Sequence, residues 1–146
     1  MDRWPDPVLE GVTKEATLDP KIHEVLAHGG VIDITTVGRQ TGQPRRIEIV
    51  FHNIDGRIYI SGMPFARRRG WLGNLEAQPR FTFHLKKPIS ADLPASARII
   101  DEEAERRRIL PAIAKIWKRK DLETMVVQSP LIEVTFEGTD PVVKAP

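Results

Sequence analysis

Six short stretches of this chain place apolar residues at every second position, the spacing of a strand with one face buried. VIDITT (31–36) puts Ile32 and Ile34 on one side. RRIEIVFH (45–52) puts Ile47, Ile49 and Phe51 on one face and Glu48, Val50 and His52 on the other. Asn53-Ile54-Asp55-Gly56 has the composition of a hairpin turn, and RIYISG (57–62) pairs back from it. RFTFHL (80–85) alternates through Phe81, Phe83 and Leu85. ASARII (95–100) follows the turn-rich KKPISADLP, and LIEVTFEG (131–138) buries Ile132, Val134 and Phe136.

Between the strands the period becomes helical. Asp19-Pro20 reads as an N-cap followed by proline in the first turn of a helix. That helix turns Ile22, Val25 and Leu26 inward and stops at Gly29-Gly30. Trp71, Leu72 and Leu75 mark a short helix, weakened by Gly70 and Gly73 and closed before Pro79. Asp101 caps a longer one over 102–117, EEAERRRILPAIAKIW, whose acids precede its bases; Pro111 is expected to kink it or split it in two. Residues 1–18 are polar, broken by Pro5 and Pro7, and read as an arm on which Trp4 docks against the body. The remainder, 19–146, reads as one α+β domain, mainly β. Its element order fits a small closed or half-closed barrel of about six antiparallel strands with flanking helices, since closure removes strand edges.

Composition narrows the picture. The chain has 146 residues, enough for one domain with a core of its own. No cysteine occurs, which excludes disulfides, thiolate nucleophiles and cysteine metal sites and suits a reducing, cytoplasmic setting. No apolar run reaches bilayer length, and the start of the chain has acids and prolines where a signal peptide needs a cationic and then an apolar segment. The net charge is only +2, so local placement of arginine matters more than the global field.

Two places concentrate arginine around glycine with no acid inside: TTVGRQTGQPRR (35–46) and ARRRGWLGNL (66–75). Guanidinium forks, backbone N–H groups and the hydroxyls of Thr35, Thr36 and Thr41 make such turns receptors for a phosphorylated or otherwise anionic ligand. The second turn precedes a helix start, whose N–H groups add to the same field. Taken alone, the first turn reads equally as solvated arginines on a loop and the second reads more readily so; the pair points to a pocket. His23, His28, His52 and His84 show no metal spacing. His52 and His84 fall on polar strand faces, where they could be neighbours as hydrogen-bonded surface groups. No nucleophile motif occurs, although Ser61 with a histidine is a formal possibility. Only 6% of residues are aromatic and none interleaves with the arginines, which argues against nucleic acid as a partner. An anion cradle with no nucleophile, metal set or acid–base pair must borrow its chemistry, as from a redox cofactor.

The run TTVGRQTGQPRR, the strand ending ISG and WLGNLEAQPRFTFHL together resemble the deazaflavin-dependent nitroreductase family, over about residues 20–137. These are small split β-barrel oxidoreductases of actinobacteria within the flavin/deazaflavin oxidoreductase superfamily. The resemblance implies coenzyme F420 as hydride donor and a small electron-poor acceptor: a quinone, an activated enone or lactone, or a nitroaromatic. By position, Arg39, Gln40, Thr41, Pro44 and Arg45 fall around the phosphate end. Ser61, Gly62 and Met63 line the ring, Arg67 or Arg68 reaches the acidic tail, and Trp71 and Asn74 shape the helix beside it. Trp117 falls where a pocket tyrosine of nitro-reducing members lies and is a candidate wall of the acceptor pocket, with core packing as the other possibility. Gln40 and Gly62 stand where relatives carry cations, which implies weaker tail binding or greater reliance on Arg67–Arg69. The alternatives are an FMN-binding member of the same superfamily and a non-catalytic binder of an anionic or lipid-like molecule. Membrane association, and monomer or homodimer, stay open.

Overall fold

The computed structural model describes residues 19–65 and 69–137. The expected arm at 1–18 and two site candidates, Arg67 and Arg68, lie outside the described residues. Six strands form the barrel: β1 (Gly30–Val37), β2 (Pro44–Ile54), β3 (Arg57–Ser61), β4 (Arg80–Leu85), β5 (Ala91–Ile99) and β6 (Leu131–Phe136). Their order is β1-β2-β3-β6-β5-β4, every pairing is antiparallel, and β1 meets β4 to close the ring. The alternation in the sequence decides which side faces in. Ile32, Ile34, Phe51, Ile58, Ile60, Phe83, Ile132 and Val134 fill the interior, each 1% exposed or less. Phe83 packs edge-on against both Phe51 and Phe136, with ring centroids 5.2 and 5.0 Å away.

The β2–β3 hairpin is tighter than its composition indicates. Asn53 and Ile54 stay in β2, Ile54 pairs with Arg57, and Asp55 and Gly56 both take positive φ, 55° and 85°, as a two-residue turn matching the strand twist requires. β5 begins at Ala91, four residues before the expected start, and runs through Pro94. The proline is tolerated because its carbonyl accepts from Glu137 N–H at 3.2 Å, just past the last β6 residue. A residue's N–H and C=O point to the same side of a strand, so the missing donor falls where the ladder ends.

Among the described residues there are four helices, α1 (Pro20–His28), α2 (Gly70–Ala77), α3 (Glu103–Ile116) and α4 (Leu122–Gln128). Asp19 caps α1 through its carboxylate, 2.8 Å from Lys21 N, and Ile22 and Leu26 close the barrel end where β1 starts. Leu72 and Leu75 of α2 close the opposite end. α3 is continuous through Pro111, and its N-cap is Glu102 rather than Asp101. Pro111 faces solvent, so the carbonyl deprived of its N–H partner is left to water and the helix need not break. α4 has no counterpart in the sequence reading: it is seven residues long and buries only Met125 and Val126, too little for a helical period to register. α3 and α4 form a hairpin over the outer face of the barrel. Beneath it lies a second core of Tyr59, Ile109, Leu110, Ile113, Met125 and Leu131. No helix among the described residues is long and apolar enough to cross a membrane.

Candidate functional site

The first arginine turn is a six-residue loop, 38–43, joining β1 to β2. It is held internally by Gly38 N–H to Gln43 O and Gly42 N–H to Gly38 O, both 2.8 Å, and by Gln43 N–H to Thr41 Oγ1 at 3.1 Å. A latch then fixes it to α2. Asn74 is 7% exposed; its Oδ1 accepts from Arg39 N–H at 3.1 Å and from Arg39 Nη1 at 3.0 Å. Its Nδ2 donates to Thr36 Oγ1 inside the barrel at 3.0 Å. Arg39 Nη1 also donates to Gly70 O at 3.0 Å. Gly73 makes this approach possible, since a Cβ there would lie 2.9 Å from Arg39 Nη1. The glycine that weakens α2 as a helix is what lets the arginine lie against it.

This latch brings Arg39, Gln40, Thr41, Arg45 and Asn74 together around a shallow pocket of about 200 Å³. Two guanidinium groups and a hydroxyl line it with no carboxylate, a donor set suited to phosphate. Arg45 is exposed at the start of β2, next to Pro44, and no described side chain pairs with it. Thr35 and Thr36, expected among the donors, point elsewhere: Thr36 is spent on Asn74, and Thr35 Oγ1 lies 2.7 Å from His84 Nε2 on the outside of the barrel.

Ser61 ends β3, and Gly62 and Met63 follow it at the same barrel end. Ser61 is 2% exposed and donates to Pro130 O at 2.6 Å, so its hydroxyl is committed to a backbone carbonyl rather than to a histidine. Met63 is held at both ends: its carbonyl accepts from Arg69 Nη2 at 2.7 Å and its sulfur from Arg119 Nη1 at 2.8 Å. Arg119 in turn pairs with Asp121, whose carboxyl it holds below the usual range. Arg69 also lies over the Phe65 ring, 5.0 Å from its centroid. A cavity of about 480 Å³ opens here, walled by Phe65, Arg69, Leu72, Val126, Ser129 and Leu131 among others. Trp71 packs half-buried against the barrel core.

Trp117 is not brought together with these residues. It ends α3 half-buried, packs on the second core, and meets His52 edge-on at 5.2 Å. His52 and His84 are not the surface neighbours expected from the strand pattern. His84 sits opposite Asp33 and is held between Thr35 and Asp92, while His52 pairs with Tyr59 on the far side of β2. The α3–α4 hairpin covers His52, leaving it 4% exposed with its Nε2 unpartnered. Sequence reasoning misses this because alternation tells inside from outside, not whether a helix covers the outside.

Burial lowers the His52 pKa from 6.5 to about 4. The unfolded chain therefore binds the extra proton first as pH falls. The contribution is fully present above about pH 6.5 and is lost progressively down to about pH 4, amounting to about 3 kcal/mol. Urea unfolding across that range should show His52→Leu flattening the acid side of the wild-type stability profile. Profiles of identical slope would mean that His52 is hydrated in solution.

The fold is thus a closed six-stranded antiparallel barrel with a cationic pocket and a larger cavity on either side of one short helix. The family description F420H(2)-dependent quinone reductase matches residues 12–134, and the chain belongs to that family. It is accordingly a deazaflavin-dependent oxidoreductase acting on a small-molecule acceptor. Three solved structures show the same fold. An F420-H2 dependent reductase, FDR-A, superposes with TM-score 0.54 at 18% identity, over 73% of this chain and 94% of that one. General Stress Protein 26 from Bacillus anthracis str. Sterne gives 0.58 and 17% over 83% and 90%. HutZ, a heme storage protein from Vibrio cholerae, gives 0.55 and 12% over 84% and 88%. At these identities the likeness is one of fold alone.

Proposed function

We propose that this protein reduces a quinone or a similarly electron-poor planar acceptor with F420H2, gripping the cofactor through the β1–β2 loop. The observation that carries the reading is the pocket of Arg39, Gln40, Thr41 and Arg45, in which no described side chain pairs with Arg45 and no carboxylate is among the lining residues. That donor set fits a phosphodiester, and the loop is already latched by Asn74, so little order has to be imposed on binding. Ser61, Gly62 and Met63 support the ring from the adjoining barrel rim, where fixed backbone rather than mobile side chains approaches it. Arg67 and Arg68, outside the described residues, stay the candidates that the resemblance implies for the acidic tail. Bound F420H2 supplies the reducing equivalents as a hydride. The chain's own residues orient the two reactants and donate to oxygen as it gains charge.

Arg45→Ala is expected to weaken F420 binding by about 1–3 kcal/mol, the range for a charge-assisted hydrogen bond, without changing thermal stability. Gln40→Lys should tighten it, and both effects should shrink as salt rises because the site is exposed. Fluorescence titration of F420 at two ionic strengths, with FMN in parallel, measures all of this. Unchanged F420 affinity in Arg45→Ala, or tighter binding of FMN than of F420, would overturn the assignment.

A further inference from the structure

The backbone from Met125 to Leu131 is almost fully committed. Arg106 donates to the carbonyls of Met125, Val126 and Ser129. Phe65 N–H donates to Gln128 O at 3.3 Å, Ser61 Oγ to Pro130 O at 2.6 Å, and Ile100 N–H to Leu131 O at 3.0 Å. Within this tied segment one group is unspent. Ser129 is 3% exposed and its Oγ has no hydrogen-bond partner. Arg69 Nε is buried and unpartnered too, although Nη2 of the same side chain holds Met63 O. Both residues wall the cavity of about 480 Å³, beside the apolar surfaces of Phe65, Leu72 and Leu131. Folded proteins rarely leave a buried polar side-chain atom unsatisfied. Among the described residues three such atoms occur, and two of them belong to this one cavity.

We propose that this cavity seats the acceptor and that Ser129 and Arg69 hold its oxygen. The inference rests on the F420H2-dependent reading above. The wall also carries the charged side chains of Asp101, Glu103 and Arg107, but two unspent donors beside Phe65, Leu72 and Leu131 match a planar ring bearing a carbonyl oxygen, which is the form of a quinone. The cavity also adjoins the expected ring position. A Cβ on Gly62 would lie 3.1 Å from Pro130 Cγ and 3.5 Å from Arg69 Nε, so Gly62 sits between the two walls. A turn about the Ser129 χ1 bond swings the hydroxyl without disturbing the tied backbone. When the quinone ring takes up a hydride, negative charge gathers on its oxygen. Donors placed there bind that charge more strongly than the neutral carbonyl, and a proton from water completes the hydroquinone.

The test compares wild type with Ser129→Ala and Ser129→Thr. It uses menadione as the quinone and N-methylphenazinium as a hydride acceptor without a carbonyl. Ser129→Ala should raise the menadione KM about five- to tenfold, or lower kcat/KM to match, while F420 affinity and phenazinium reduction stay the same. Ser129→Thr, which keeps the hydroxyl, should stay within about twofold of wild type. Thermal unfolding without ligands provides a readout independent of turnover. Removing an unsatisfied hydroxyl should leave Tm unchanged or slightly raised, whereas a structural hydroxyl would lower it. Arg69→Lys keeps the charge but lacks Nε–H and should shift the menadione parameters in the same direction. An unchanged menadione-to-phenazinium ratio in Ser129→Ala overturns the proposal, as does a fall in Tm with parallel loss of F420 affinity. Wild-type protein that binds no F420 or reduces no quinone overturns the parent reading and this proposal with it.

Discussion

Arg106→Leu is expected to cost about 3–5 kcal/mol of stability. Arg106 is 6% exposed and donates to four backbone carbonyls, those of Ile100, Met125, Val126 and Ser129. Three of the four lie at the C-terminal end of α4; Met125 O also accepts from Ser129 N–H at 2.9 Å, whereas for Val126 and Ser129 the guanidinium supplies the partner that the helix does not. Leucine fills much of the volume and satisfies none of them, and each buried orphan costs about 1–3 kcal/mol. For a chain of this size the loss corresponds to a fall in Tm of roughly 10–20 °C. The same carbonyls fix the wall that carries Ser129, so quinone KM should rise even where enough protein remains folded. Lysine at this position reaches too few of the four acceptors to restore either property. Urea unfolding with steady-state kinetics on one preparation checks both. A loss under about 1 kcal/mol would mean that water replaces the guanidinium.

Asn74→Ala should separate loop order from charge. The variant strands Thr36 Oγ1 and Arg39 N–H and leaves the Arg39 guanidinium tied to α2 through Gly70 O alone. A cost of about 2–3 kcal/mol in stability is expected. F420 affinity should fall by about tenfold or more, because the cradle must then be ordered on binding. Asn74→Asp keeps an acceptor for Arg39, and Thr36 can donate to it in turn, so stability should be largely retained. The added carboxylate would face the phosphate site, and affinity should still fall, most steeply at low salt. If Asn74→Asp binds F420 as wild type does, the anion does not occupy the Arg39–Arg45 pocket. F420 titration and thermal unfolding of both variants decide between these outcomes.

The barrel was readable because strand alternation is a local property. Ile32 and Ile34, or Phe81 and Phe83, announce a buried face whatever surrounds it, and the two arginine turns announce themselves by composition. The α1 cap at Asp19-Pro20 was equally local. What could not be read is whatever depends on residues distant in sequence. EEAERRRIL gives three consecutive arginines the same solvated appearance. The fold buries Arg106 under α4, pairs Arg107 with Glu103 and Glu123, and leaves Arg108 near Glu105. α4 itself carried no usable period, and Ser129 no motif.

By itself, then, the amino-acid sequence determined the strands, their inward faces, the cationic turns and the family resemblance, because each of these rests on neighbours within a few positions. Only the tertiary structure decided that Arg39 is latched to Asn74, 35 residues away, that no described side chain pairs with Arg45 beside it, and that His52 is buried under Trp117. It alone also placed the unspent groups of Arg69 and Ser129 on one cavity. The physical reason is that a hydrogen bond or a desolvation cost depends on what stands within a few ångströms in space, and barrel closure sets that distance.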